Sequence, residues 1–326
     1  MTTSQNETRK SRIEATYKAK DVEEIIDVWY YRPLGYALAV GANKLGISPN
    51  SISVVGMLIG ILGGHLFFYD DLFLNFLGVL CWMGGQAFDG ADGQLARMTN
   101  QRSKVGRVLD GLSDSFKFLS VYIHIVARIF VATGSPWIIV VGLAAMWSHS
   151  AQSAFADYYR NLYLFFVYDP TKGELDQSAG IAEEYAGFSW TKTFWKKLLW
   201  FFYIPYINMQ EKLSGSVDEL LEATVNKFAD DIPQGLKDEY RRRNKPNIMW
   251  YNALTTNTRM LILYGSLLVG NLWIYLIADL TYFNAVLLIM RVRQNRINKD
   301  MMALVESTPA LTPPSPPPSP SPQEVA

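Results

Sequence analysis

Apolar residues in this chain gather into blocks of roughly twenty residues that hold almost no charge, and the charged residues gather between the blocks. A core helix of a soluble protein is apolar along one stripe only, whereas a helix that is apolar all round needs a nonpolar solvent. Against the roughly 20 residues that cross about 30 Å of hydrocarbon, the chain offers six spans: 52–69, 72–88, 112–133, 137–155, 260–277 and 282–292. The last is short, and Arg291, Arg293 and Arg296 beside it can snorkel to the interface.

The basic residues orient these spans. The connections at 69–72, 133–136 and 278–281 hold no Lys or Arg, whereas seven precede Asn50, four lie between Asp89 and Asp110, twelve between Tyr158 and Thr258, and four follow Met290. By the positive-inside rule, both termini and all long loops are expected on the cytoplasmic side. The charge-free turns and this asymmetry disfavour a soluble helical protein with a large core. The predicted fold is an all-α membrane protein: six transmembrane helices follow an N-terminal amphipathic interfacial helix, and both termini are cytoplasmic.

Residues 1–20 are expected to be disordered, and 21–50 to lie at the interface as an amphipathic helix over 21–45 with Trp29, Tyr30 and Tyr31 at headgroup level. Ser48-Pro49-Asn50-Ser51 then caps the restart. Residues 51–157 carry spans one to four, and 158–258 form a cytoplasmic insert whose aromatic, basic segment 194–213 suits the bilayer surface. Spans five and six fall in 259–292, and 293–326 read as a cytoplasmic, Pro/Ser-rich disordered tail. Lys+Arg and Asp+Glu balance at 30 each, which argues against a dedicated nucleic-acid binder. The single Cys81 excludes an intramolecular disulfide and a Cys-rich zinc site. No apolar run with a small-residue cleavage site occurs in the first 50 residues, so a secretory signal peptide is not expected.

The chemistry concentrates between spans two and three. Asp89 and Asp92 are spaced i, i+3 and Asp110 and Asp114 i, i+4, so each pair shares one helix face. A lone pair of this kind is usually a solvated helix end. Four Asp, two Gly, an Ala and an Arg within 26 residues between two apolar spans are not so easily explained. Four carboxylates at the edge of a bundle repel one another and are costly to desolvate unless a cation joins them. Oxygen ligands with no His or Cys nearby fit a hard ion, Mg²⁺ or Mn²⁺. Gly93, Ala96 and Gly106 remove bulk where a ligand could approach the backbone, and Arg97 offers a planar donor for phosphate oxygens.

Asp89-x2-Asp92-Gly93-x2-Ala96-Arg97-x8-Gly106-x3-Asp110-x3-Asp114 resembles, without gap or substitution, the signature of the CDP-alcohol phosphotransferase family of integral membrane lipid synthases. The resemblance extends to the interfacial helix, the Ser-Pro-Asn turn and the six-span count, but not to the 158–258 insert or the Pro-rich tail. It implies that Asp89, Asp92 and Asp110 coordinate one or two divalent ions on the diphosphate of a CDP-linked donor, with Asp114 completing the second position. Asp114 is also the implied general base for the acceptor hydroxyl. Gly93 and Ala96 pass close to the cytidine, Gly106 belongs to the same donor site, and Arg97 holds a phosphate. CMP is then the leaving group.

Arg160, Arg259 and Arg291 all fall at the cytoplasmic level, and their convergence would suit a phosphorylated acceptor such as inositol phosphate or glycerol phosphate. The alternative is that they are topology signals alone. Expected partners are a CDP-linked lipid or alcohol donor, an alcohol acceptor, membrane lipids and a second copy of the chain in a homodimer, with no nucleic acid. Rival readings are a CDP-choline or CDP-ethanolamine type of transfer to a lipid alcohol, an intramembrane prenyltransferase, and a non-catalytic bundle. A prenyltransferase needs Asp pairs on separated hairpins, and a non-catalytic bundle would have lost motif residues. Lys117, one turn beyond Asp114, either pairs with the carboxylates or meets substrate. His124 and His149 read as neutral hydrogen-bonded residues, His65 has no visible partner, and Arg128 is expected to snorkel outward.

Overall fold

The computed structural model describes residues 11–309 except 12, 15, 17, 18, 171, 172, 216 and 230; the outer parts of the two segments expected to be disordered, 1–10 and 310–326, lie outside the described residues. All elements among the described residues are helical. A 3-10 turn at Lys20–Val22 and one π-helical turn at Asp27–Tyr31 lead into α1 (Arg32–Lys44). The interfacial helix expected over 21–45 is therefore interrupted. Tertiary bonds pin the chain there: Arg32 donates from Nε and Nη2 to Glu23 at 2.8 and 2.7 Å, and the Val22 carbonyl accepts from Arg160 and Asn252. Trp29 and Tyr30 are exposed and Tyr31 is buried. Ile13, Thr16 and Ala19 are also buried, with Gln94 Nε2 donating to Thr16 Oγ1 at 3.0 Å, so the described part of 1–20 is packed and not loose.

Four helices follow: α2 (Pro49–Leu66), α3 (Leu72–Met98), α4 (Lys104–Thr133) and α5 (Trp137–Val167). Ser48 Oγ accepts from Ser51 N to cap α2, as the Ser-Pro-Asn turn foretold; Asp71 and Ser103 do the same for α3 and α4. α2 packs on both α3 and α4. Its approach to α3 is close enough that a Cβ on Gly85 would lie 2.9 Å from the Gly56 carbonyl oxygen, the small-residue contact by which membrane helices gain dispersion energy.

Among the described residues, four helical stretches are long and apolar enough to cross a bilayer: Pro49–Leu66, Lys104–Thr133, Trp137–Val167 and the run Trp273–Ser307. α3 has the length, but Asn75, Gln86 and its carboxylates dilute its apolar character. Leu58, Leu62, Phe73, Phe76, Leu143 and Trp147 are exposed on these helices, a surface suited to hydrocarbon.

The expected span 260–277 is not one helix. α10 (Thr256–Val269) ends at Gly270, whose φ of 70° terminates the helix in the left-handed region, and α11 (Trp273–Leu280) restarts and packs back on α10. The break thus falls earlier than the 278–281 turn read from the sequence. At Thr281 the chain makes only a short interruption before α12 (Tyr282–Ser307). α12 runs well past Val292 with Gln294, Asn298, Met301 and Val305 buried, so 293–307 belong to the folded body.

The insert is likewise part of that body. α5 continues to Val167, and α6 (Ser178–Gly187), α7 (Phe194–Ser214), α8 (Val217–Phe228) and α9 (Gln234–Ala253) gather around its C-terminal end. Tyr159, Tyr163 and Phe166 of α5 share one core with Tyr240 and Tyr251 of α9 and with Met290 and Met301 of α12. α7 buries Trp200 and Ile207 against Val108 and Leu112 of α4 and exposes Phe194, Trp195, Phe201 and Phe202.

Candidate functional site

The carboxylates stand where α3 and α4 meet at one end of the bundle. Because α3 does not stop at Phe88 but continues to Met98, Asp89 and Asp92 project from its last turns; because α4 begins at Lys104, Asp110 and Asp114 project from its first turns. The four lie close enough that each of Asp89, Asp92 and Asp110 feels the charge of at least one other member. Asp92 is deepest, 4% exposed, and accepts from Ser53 Oγ of α2. Asp110 is on the exposed rim and Asp114 is half-exposed.

Lys117 reaches into this group. Its Nζ lies 2.9 Å from Asp89 Oδ1, 2.6 Å from Asp114 Oδ1 and 2.5 Å from Gln86 Oε1, and the side chain is 0% exposed. Of the two readings of Lys117, the ion pair with the carboxylates is the one formed. An ammonium held by oxygens of Asp89, Asp114 and Gln86 shows that this group attracts a cation, and carboxylate oxygens are the donor type that Mg²⁺ or Mn²⁺ takes. Among the described residues no three His, Cys, Asp or Glu close on one point as they stand. Lys117 takes the place between Asp89 and Asp114.

Beside the carboxylates is a cationic side. Arg97 feels Arg32 and Arg102 as like charges and Glu23 and Asp110 as opposite ones, and its buried Nε has no hydrogen-bond partner among the described residues. A buried guanidinium N–H without an acceptor is costly unless a ligand oxygen completes it. The open face of Gly93 is toward Arg97, whose Nη2 would lie 3.3 Å from a Cβ there, and Gly106 faces Ser103 Oγ and Asn50 Oδ1. Ala96, between them on α3, is half-buried. The sequence reading missed Ser53, Gln86, Arg32 and Arg102. Gln86 carried a signal, one turn before Asp89, and so did Arg102, which lies inside the motif stretch; Ser53 and Arg32 carried none, because they approach from other segments.

Residues 46–162 match the family model described as CDP-alcohol phosphatidyltransferase. This stretch of the chain is similar to a CDP-alcohol phosphatidyltransferase domain. The matched region spans α2 to most of α5 and holds every motif residue, whereas the N-terminal turns and everything after 162 lie outside it. Among curated relatives, an uncharacterized protein of Aquifex aeolicus (strain VF5) is 32% identical over 99 residues, covering 29% of this chain and 49% of that protein. The archaetidylinositol phosphate synthase of Pyrococcus horikoshii is 35% identical over 78 residues, 24% of this chain and 40% of that enzyme. The chain thus spans about half or less of the relatives it matches.

Outside the phosphatidyltransferase motif, the three arginines read as an acceptor site have separate surroundings. Arg259 is 0% exposed and ion-paired with Asp279; its Nη2 donates to Gln152 Oε1 at 2.7 Å and to the Leu254 carbonyl, and its guanidinium lies 4.4 Å over the Phe283 ring. Its assignment to the acceptor is corrected accordingly, since the charge is already neutralised in the bundle interior. Arg160 donates weakly, at 3.4 Å, to Val22 O and faces Glu24 and Asp27, and Arg291 lies toward Tyr159. His65 does have a partner: its Nδ1 is 2.9 Å from His124 Nε2. Arg128 pairs with Asp70, and His149 packs edge-on against Phe118.

Proposed function

We propose that the protein is a membrane-embedded phospholipid synthase that transfers a substituted phosphate from a CDP-alcohol, CDP-diacylglycerol in the first instance, to a phosphorylated polyol such as inositol phosphate, with release of CMP. The observation that carries this reading is the complete motif, with its four carboxylates gathered beside Arg97. The acceptor class is supported by the Pyrococcus relative's name and by Arg160 and Arg291, the two arginines of the original three not committed to a buried ion pair. In this reading α2, α3, α4, α5, α10 and the α11–α12 run are the six crossings, and the motif faces the cytoplasm.

The acceptor hydroxyl oxygen bonds to the lipid-side phosphorus, the bond from that phosphorus to the bridging oxygen breaks, and CMP departs with that oxygen. Asp114, half-exposed on α4, takes the hydroxyl proton as general base. Arg97 fixes a phosphate, and Gly93, Ala96 and Gly106 leave the backbone open to the cytidine side. A divalent ion held by Asp89, Asp92, Asp110 and Asp114 would neutralise charge gathering on the bridging oxygen. The lipid donor enters sideways from the bilayer and the polyol from water, which accounts for a motif at the membrane edge.

The test is CMP release by purified protein given CDP-diacylglycerol with inositol phosphate, glycerol phosphate, inositol or serine. Faster release with a phosphorylated polyol is expected. Turnover confined to CDP-choline or CDP-ethanolamine with diacylglycerol would move the protein to aminoalcohol transfer.

A further inference from the structure

Lys117 is the most fully buried cation near the motif, and the fold makes room for it deliberately. On α2, a Cβ added to Gly60 would have its three nearest atoms all on Lys117, with Cδ at 2.5 Å and Cγ at 2.6 Å. The lysine stem therefore crosses α2 through the gap that Gly60 leaves and delivers its ammonium to Asp89, Asp114 and Gln86. Two of these three oxygens belong to carboxylates of the proposed metal set. We infer that Lys117 is a built-in counter-cation that holds Asp89 and Asp114 together in the metal-free enzyme and is displaced from them when the divalent ion binds.

The inference rests on the reading of Asp89, Asp92, Asp110 and Asp114 as the metal-binding residues. Its physical basis is competition. Carboxylates gathered in a partly buried site are unfavourable without a cation, and the ammonium supplies one charge where a divalent ion supplies two. A metal–oxygen contact to Asp89 must replace a charge-assisted hydrogen bond already present, and one to Asp114 must replace an ion pair. Lys117 thus acts as a positioning residue: it preserves the carboxylate geometry between turnovers and weakens metal affinity in the same stroke. A purely structural lysine would stabilise the fold without opposing the metal.

The experiment is calorimetric titration of Mn²⁺ into purified full-length protein in detergent at one fixed pH, for wild type, Lys117→Met and Gly60→Ala, together with Tm in EDTA and in saturating Mn²⁺. Lys117→Met keeps the length and removes the charge; Gly60→Ala keeps the charge and pushes the stem aside, so either variant suffices if the other does not fold. Both are expected to bind Mn²⁺ more tightly than wild type, Lys117→Met by tenfold or more, equivalent to about 1.4 kcal/mol. Both should have a lower Tm in EDTA and a larger Tm gain with Mn²⁺. Equal or weaker Mn²⁺ affinity in the variants, with wild type binding Mn²⁺, would overturn the role of Lys117 and leave the metal reading intact. If neither wild type nor variants bind Mn²⁺, the metal reading falls and this inference with it.

Discussion

Replacing Arg259 with Leu is expected to cost stability, not acceptor affinity. Arg259 and Asp279 are both 0% exposed in the ion pair, and Tyr122 also donates its hydroxyl to Asp279. Arg259→Leu leaves Asp279 with Tyr122 alone, and breaking a buried pair from one side typically costs about 3–5 kcal/mol. At roughly 2 °C per kcal/mol for a chain of this size, Tm should fall by about 6–10 °C. Adding Asp279→Leu removes the stranded charge. The double variant should recover the larger part of the loss, with a coupling energy of about 2 kcal/mol or more in a double-mutant cycle. The remaining deficit reflects Gln152 and Tyr122, which lose partners at about 1 kcal/mol each. The assay is thermal unfolding of the detergent-solubilised protein, run beside acceptor KM for the same variants. Unchanged Tm in Arg259→Leu with a raised acceptor KM would refute the structural role and return Arg259 to the acceptor site.

Chelation with EDTA should abolish CMP release and Mg²⁺ or Mn²⁺ should restore it, while Asp89→Asn, Asp92→Asn and Asp110→Asn should each lower kcat by orders of magnitude with unchanged detergent behaviour on gel filtration. Arg160→Ala and Arg291→Ala should raise the acceptor KM by about tenfold, from loss of a charge-assisted bond worth about 1.5 kcal/mol or more, and leave the donor KM nearly unmoved. Burial, with Asp27 adding repulsion, raises the Glu24 carboxyl above the usual glutamate range. The folded state therefore binds the proton more tightly than the unfolded state, and stability declines as pH rises through the folded value. Glu24→Gln, which keeps an oxygen for Thr255, should raise Tm at pH 8 and have no effect in acid, a difference read by fluorimetry across pH.

The motif was legible because its chemistry is local in sequence: i, i+3 and i, i+4 spacings survive whatever the bundle does around them. The cap at Ser48 was equally local. What the sequence hid are interactions whose partners lie far away or whose residues look ordinary. Asp279 fell in an expected turn, and nothing in the chain announces that Arg259 reaches it. The break at Gly270 lies between two apolar runs, so hydropathy passes over it, although a glycine followed by Asn271 is a common way to end a helix. Helix α12 continues beyond Val292 because Tyr251 donates to Gln294 at 2.6 Å and Gln294 to Asn298, so polar residues serve there as core. The insert looked too polar to belong to the bundle. Its tyrosines are nevertheless what α5 packs against.

The central claim is that a CDP-alcohol is cleaved at this motif with the lipid-side phosphate retained in the product. CDP-diacylglycerol labelled with ³²P at that phosphorus, given to the purified protein with inositol phosphate, tests it directly. The account predicts all of the transferred label in a new phospholipid, unlabelled CMP in equal amount, and neither product from the Asp110→Asn variant. Label in the released nucleotide, or equal turnover by Asp110→Asn, would contradict it.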